Sequence, residues 1–455
     1  MSTERKRKGP TPYLLVILSF VGVIFFGAFL LTLPFAHQNG QWGTFMDALF
    51  TATSATCVTG LCTYANGLGG ELTLFGQIIV LFMIQIGGLG FITILTFFVS
   101  LIQRKLQFKD RYMLAQAVNS TSVAGVGKFV SRVIIIVATV EILGFLLGLP
   151  VFLAVPSYST PKAIWASLFT SVSAFNNAGF DIFGSTSLIQ GLGNEVIDSL
   201  PTWAYYYLQS YIMILIILGG LSFVTIIEIF FVRRKPRQFS AFTRITLLMT
   251  TILLVGGFAL LCITDVSKGT IDPFQALFQS VTCRTAGFAD FDQSTLSHAG
   301  KTVSIFLMFI GGSPIGTAGG IKTTTIFIIA LCLVRFLQGK KISAFKREFT
   351  KLSIIKAMTL LLLSVLVVAI GYMCLSSFEN LQTDDTLFEV FSAFGTVGLS
   401  TGITPVLSVG SKITLCIIMF FGRLGPITLF QIFQKNMNNE EQTHYREVET
   451  DIIIG

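Results

Sequence analysis

LFTATSATCVTGL (Leu49–Leu61), LFTSVSAFNNAGF (Leu168–Phe180), LFQSVTCRTAGF (Leu277–Phe288) and LFEVFSAFGTVGL (Leu387–Leu399) are four versions of one phrase. Each opens on Leu-Phe, passes through a small or hydroxyl-rich turn and closes on a glycine followed by Leu or Phe. The closing glycines Gly60, Gly179, Gly287 and Gly398 recur at intervals of 119, 108 and 111 residues, which is the repeat period of the whole chain. One such loop would read as an outer turn with a structural glycine. Four in register read as one device built four times.

Outward from these loops the chain is apolar. Hydrophobic residues make up 53% of 455 residues and charged residues only 12%, with 44 phenylalanines, a composition foreign to soluble domains. Apolar stretches recur from Tyr13 to Phe433 with no polar linker, so one membrane domain is expected. Spans long enough to cross the hydrocarbon fall at about 13–33, 72–102, 128–152, 202–232, 241–264, 301–336, 353–376 and 410–434. Eight crossings put both termini on one side. The basic clusters Arg5–Lys8, Arg104–Arg111, Arg233–Arg244 and Arg335–Lys351 mark that side as cytoplasmic, whereas Pro34–Glu71 has no Lys or Arg. The net charge of +8 is therefore a topology signal and not a nucleic-acid footprint. The first span is too long for a signal peptide and lacks a small-residue cleavage site. Seven cysteines, an odd number scattered through apolar segments, do not form a disulfide framework.

The expected architecture is all-α and integral to the membrane: four tandem units of helix, re-entrant pore loop and helix around one axis. The units cover 13–110, 111–240, 241–350 and 351–436, after a basic N-terminus (1–12) and before a tail (437–455). Each quoted loop follows a helix-start signal: Thr44 with Asp47, Thr160 before Pro161, Asp272 before Pro273, and Thr383 with Asp384. About ten residues of helix reach only ~15 Å, so these segments enter the membrane from outside and turn back. Their carbonyl ends, carrying about half a negative charge, point at the membrane centre. The ascending backbone after each helix is non-helical at membrane depth, which is tolerated inside protein or along a water path. Its carbonyls can then replace an ion's hydration shell, and glycine permits the backbone angles this needs. The candidate filter residues are Thr56, Cys57, Val58, Thr59 and Gly60; Asn176, Asn177, Ala178 and Gly179; Arg284, Thr285, Ala286 and Gly287; and Gly395, Thr396, Val397 and Gly398. The Arg284 side chain is expected to turn away from a cation path and pair elsewhere, and Asn176 and Asn177 to brace the filter.

The second helix of each unit carries a repeated centre: IGGLGFIT (Ile86–Thr93), LGGLSFVT (Leu218–Thr225) and FGRLGPIT (Phe421–Thr428). The third copy instead reads IGGSPIGTAGGIKTTT (Ile310–Thr325), so an irregular intramembrane segment is expected at 310–325, with a kinked static helix as the alternative. Candidate gate residues are Gly311, Gly312, Gly316, Gly319, Gly320, Lys322 and Arg423. Arg423 stands where the first two copies have Gly88 and Gly220; a charge at that depth should face a polar interior, repel cations and donate to loop carbonyls. A structural ion pair is the alternative for Arg423. Lys322 either cooperates or lies at the cytoplasmic exit. Glu141 and Glu228 suit interhelical hydrogen bonding. No convergent nucleophile, metal-ligand spacing or nucleotide-binding run is present, so the chain does not read as an enzyme or as binding an organic cofactor.

With the four loops, and NNAGF and RTAGF above all, the sequence resembles the Trk/Ktr/HKT superfamily of potassium transporters, within it the KtrB branch of membrane subunits. The resemblance implies a single-chain pseudo-fourfold potassium pore, with K+ as the transported ion and a gate at the irregular loop and Arg423. It further implies a homodimer in the cell membrane and a cytosolic ring of nucleotide-binding regulators of the KtrA type. Anionic lipid is a further expected partner of the basic loops. In the plant branch a serine at the first filter position accompanies sodium transport; Gly60 here implies potassium preference. The alternative class is a sodium-coupled or other secondary transporter, although the basic boundaries make the repeats parallel and not inverted.

Overall fold

In hydrocarbon a backbone can satisfy its polar groups only within itself, so long runs of Leu, Ile, Val and Phe become helices. A computed structural model describes residues 12–90, 126–156, 158–183, 202–232 and 236–425. The principal helices are α1 (Pro12–Thr32), α2 (Phe45–Cys57), α3 (Leu74–Leu89), α4 (Val126–Leu153), α5 (Thr160–Phe175), α6 (Thr202–Gly220) and α7 (Ala241–Thr264). They continue with α8 (Pro273–Thr282), α9 (His298–Phe309), α10 (Thr323–Leu337), α11 (Lys351–Phe378), α12 (Thr383–Gly395) and α13 (Val409–Leu424). Among the described residues four stretches are long and apolar enough to cross a membrane: Gly127–Leu153, Trp203–Gly220, Ala241–Lys268 and Lys351–Phe378. The chain is a multi-pass membrane protein.

The shell and the centre have opposite chemistry. Phe26 and Phe29 on α1, Leu146 on α4 and Leu362 on α11 are exposed, as a lipid-facing surface requires. The short helices α2, α5, α8 and α12 are buried instead, and with them Thr51, Ser54, Thr56, Ser171, Ser173, Ser280, Thr282 and Ser392. α8 begins with a capping box between Asp272 and Gln275, as Asp272-Pro273 predicts. Helices α2, α5 and α12 begin within a residue of their predicted starts. Their lengths of 13, 16, 10 and 13 residues correspond to about 15–24 Å.

The second helices depart from the expected unbroken spans. Residues 202–232 are interrupted after Gly220: Ser222 caps a new short helix, Phe223–Ile227, and Glu228–Val232 is a π turn. Residues 301–336 divide into α9 and α10 around 310–322. Helices α3 and α13 stop at Gly90 (φ 77°) and Gly425 (φ 79°), and the rest of 72–102 and 410–434 lies outside the described residues. All four helices therefore stop at the repeated glycine motif, not the third alone. Close packing adds its own demand for glycine in this motif. A Cβ on Gly87, Gly219 or Gly422 would fall 2.1, 1.8 or 2.0 Å from the carbonyl oxygen of Thr56, Phe175 or Phe394, at the end of the short helix of the same unit.

A candidate ion pathway

Each short helix ends in the same local geometry. Val58, Asn177, Thr285 and Thr396, two residues before each closing glycine, are left-handed, with φ of 57, 59, 69 and 50°. Such a conformation costs a non-glycine residue on the order of 1 kcal/mol, so four in one column mean that the surroundings impose it. The residue before each glycine returns its N–H to the short helix: Thr59 to Ser54 O, Ala178 to Ser173 O and Val397 to Ser392 O, each at 2.8 Å, and Ala286 to Thr282 O at 3.0 Å. The hydroxyls of those same residues complete the turn. Ser54 and Ser392 accept from Gly60 N and Gly398 N at 3.0 and 3.1 Å. Ser173 and Thr282 donate to Phe180 O and Phe288 O at 2.7 and 2.6 Å. Sequence reading missed these anchors, although a hydroxyl stands in that column in all four copies.

The four turns meet in a closed ring. A Cβ on Gly60 would lie 2.5 Å from Ala178 O, one on Gly179 2.5 Å from Ala286 O, one on Gly287 2.2 Å from Val397 O, and one on Gly398 2.2 Å from Thr59 O. Each glycine thus abuts the carbonyl of the residue before the next glycine, and the fourth returns to the first. All four have positive φ, from 68 to 103°. Conformation and space both demand glycine.

Side chains behind the ring tie the loops to the helices. Asn176 donates to Glu141 Oε1 at 2.9 Å and to Gln85 Oε1 at 3.1 Å, joining α5 to α4 and α3. The Asn177 amide, oriented to satisfy both its ends, donates to Ala174 O and Ile216 O at 3.3 Å. Arg284 is 6% exposed, and its Nε has no hydrogen-bond partner. The expected pairing of Arg284 is not made among the described residues. Glu228 bonds Ser240 N and Oγ at 2.7 and 2.6 Å, joining one unit to the first helix of the next.

Residues 310–322 fold under the ring. Thr317 N and Ser313 N bond Gly219 O and Gly220 O at 3.3 and 3.0 Å, which accommodates the break in α6, and Phe223 N bonds Ile315 O at 2.9 Å. Gly320 N reaches Gly422 O at 3.3 Å. Gly311, Gly312, Gly316 and Gly319 are all places where a Cβ would fall within 3 Å of a neighbouring atom. Arg423 donates from Nη1 to Thr317 O and from Nη2 to Gly87 O, spanning α13, the loop and α3. Lys322 turns back on its own loop, with Nζ 2.6 Å from Ala318 O. No acid pairs with Arg423 among the described residues, so its structural role as an ion-pair member is not realised there.

Near its start, the second helix of each unit reaches the next. Gln77 accepts from Trp165 at 2.7 Å, Tyr205 donates to Asp290 at 3.1 Å, Lys301 pairs with Asp385 at 2.9 Å, and Lys412 pairs with Asp47 at 2.8 Å. The last pair joins residues 365 apart in sequence.

A hydroxyl- and carbonyl-rich centre inside an apolar helical shell defines a membrane transport protein. The family is explicit: a sequence profile described as TrkH, cation transport protein, matches residues 2–445, and the chain belongs to that family, one of transporters and not enzymes. It is 36% identical to the potassium/sodium uptake protein NtpJ of Enterococcus hirae, over 99% of each chain. It is 34% identical to the Ktr system potassium uptake protein B of Bacillus subtilis, over 98% of this chain and 97% of that one. The fold matches the crystal structure of the potassium transporter TrkH from Vibrio parahaemolyticus with a TM-score of 0.71 at 18% identity, covering 94% of this chain and 86% of that chain.

Proposed function

We propose that the chain takes up potassium across the cell membrane through one channel-like pore. The observation that carries this reading is the closed ring of Gly60, Gly179, Gly287 and Gly398, each against the carbonyl preceding the next. Four left-handed residues give the loops the same turn, and four hydroxyls anchor them in two pairwise patterns, which supports a fixed set of oxygen ligands for a dehydrated cation. In this reading the chain is four pore units with eight crossings and cytoplasmic termini, and the ring is the selectivity filter. Residues 310–325 with Lys322 and Arg423 form the gate. A guanidinium within several ångströms of a passing ion raises a barrier of about 4 kcal/mol at an effective dielectric near 20.

Names of relatives support the substrate: the Bacillus protein is called a potassium uptake protein and the Enterococcus one a potassium/sodium uptake protein. The second name favours a specific alternative, sodium-coupled uptake. The name of the Bacillus relative, a protein of a Ktr system, supports a partner in such a system. In this reading, which follows the sequence resemblance, the chain is a homodimer and the partner a cytosolic nucleotide-binding regulator of the KtrA type docked on the basic loops. Reconstitution in liposomes separates the classes. Currents should reverse at the potassium equilibrium potential, and Arg423→Ala should raise flux about tenfold or more with ion preference kept. Fixed sodium-to-potassium stoichiometry would establish the carrier, and loss of transport in well-folded Arg423→Ala protein would remove the gate.

A further inference from the structure

The carbonyls of Thr317, Ala318 and Gly319 lie in non-helical backbone beneath the ring, and no backbone N–H of a described residue donates to them. Thr317 and Ala318 are buried, at 0% and 2% exposure. Their partners are cations of the protein itself. Arg423 donates to Thr317 O, and the Lys322 ammonium sits 2.6 Å from Ala318 O and 3.4 Å from Gly319 O. Thr396, fully buried, packs against this segment: a Cβ on Gly319 would lie 2.1 Å from Thr396 Oγ1.

Buried carbonyls at membrane depth need a donor or a cation. Unwound backbone carbonyls are oxygens that bind monovalent cations in membrane transport proteins. We propose that the Ala318 and Gly319 carbonyls form a monovalent-cation site beneath the ring, and that Lys322 fills it as a tethered cation. Lys322 thereby differs from Arg423: it occupies an ion's own ligands, whereas Arg423 straps the loop to α3. This rests on the pore reading above, and deepens it by making the gate loop an ion site closed by its own side chain.

Lys322→Met keeps the length of the side chain and removes its charge. Crystals of Lys322→Met and of the parent, both grown with Tl+, separate the two levels of the argument. The expected result is an anomalous peak at the Ala318 and Gly319 carbonyls in the variant alone, with peaks at the ring of four glycine loops in both proteins. Ring peaks in both without the inner peak in Lys322→Met overturn the tethered-cation site and leave the pore standing. Absence of ring peaks in both overturns the pore reading itself. Thermal melting of the same variant in K+, Na+ and a large organic cation covers the case of misfolding. A metal cation should restore the stability that the ammonium supplied, and a variant equally unstable in all three overturns the site.

Discussion

At Gly60 two demands coincide: φ is +103°, and a side chain would meet Ala178 O at 2.5 Å. Gly60→Ser therefore displaces the second loop as well as the first, and the potassium-to-sodium permeability ratio from reversal potentials should fall. Gly402→Ala is the matched control, because Gly402 has φ +92° but nothing within 4 Å. It should cost about 1 kcal/mol of stability and leave the ratio unchanged. Just outside the third loop, burial pushes the Asp290 carboxyl up to about 6, with Tyr205, Gln209 and the charge of Asp272 as its polar surroundings. The folded state thus favours the protonated form. Stability contributed by this group is greatest at acid pH and is lost as pH rises from the unfolded carboxyl value through about 6. In the proposed pore its charge would draw cations toward the four loops, and in the folded protein that charge appears as pH rises through about 6. Uptake at limiting potassium should fall as external pH drops from about 7.5 to about 5, without unfolding, and Asp290→Asn should flatten that profile. The glycines could be read from the sequence because each carries a repeated signature. Asp290 could not, because its environment is set by Tyr205, 85 residues away.

Among the elements, the short helices were the most legible, since Asp272-Pro273 and Thr44 with Asp47 are local signals that work through the first turn. The breaks in the second helices were legible only in part. Pro314 and five glycines announce the third, but LGGLSFVT looks continuous until the carbonyls of Gly219 and Gly220 are seen to serve the inserted loop. The packing of one unit on the next depends likewise on contacts that no local pattern displays. Glu228, 8% exposed, holds the start of α7 through Ser240. Glu228→Ala leaves those donors without their acceptor and should cost about 1–3 kcal/mol, read as a lower melting temperature in detergent. The potassium-to-sodium ratio of the surviving protein should be unaltered, since the hydrogen bonds of Glu228 to Ser240 and Thr243 serve the start of α7 and not the four loops.

Across the whole molecule, closure is the decisive property, and the ion pair of Lys412 with Asp47 joins the last unit to the first. Both side chains are largely buried, at 12% and 24% exposure, so removing one partner strands the other. Lys412→Ala should destabilise by about 2 kcal/mol, less than a fully buried pair would. The exchange of Asp47→Lys with Lys412→Asp should recover part of that loss in a thermal melt; no recovery would assign the effect to packing of the lysine stem. The sequence by itself determined the membrane class, the four loops with their glycines, the family, and the exceptional character of 310–325 and Arg423. The family follows from the resemblance carried by the loop motifs, and the rest from composition, the repeat and local backbone chemistry, all of which are written along the chain. Only the tertiary structure decided that each glycine faces a carbonyl of the next loop, that Arg423 spans the loop and α3, and that Lys322 folds back onto Ala318 and Gly319. Those are meetings of groups about a hundred or more residues apart, or of a side chain with a backbone whose path is itself fixed by distant neighbours. Periodicity marks which residues are special; the choice of partner belongs to packing.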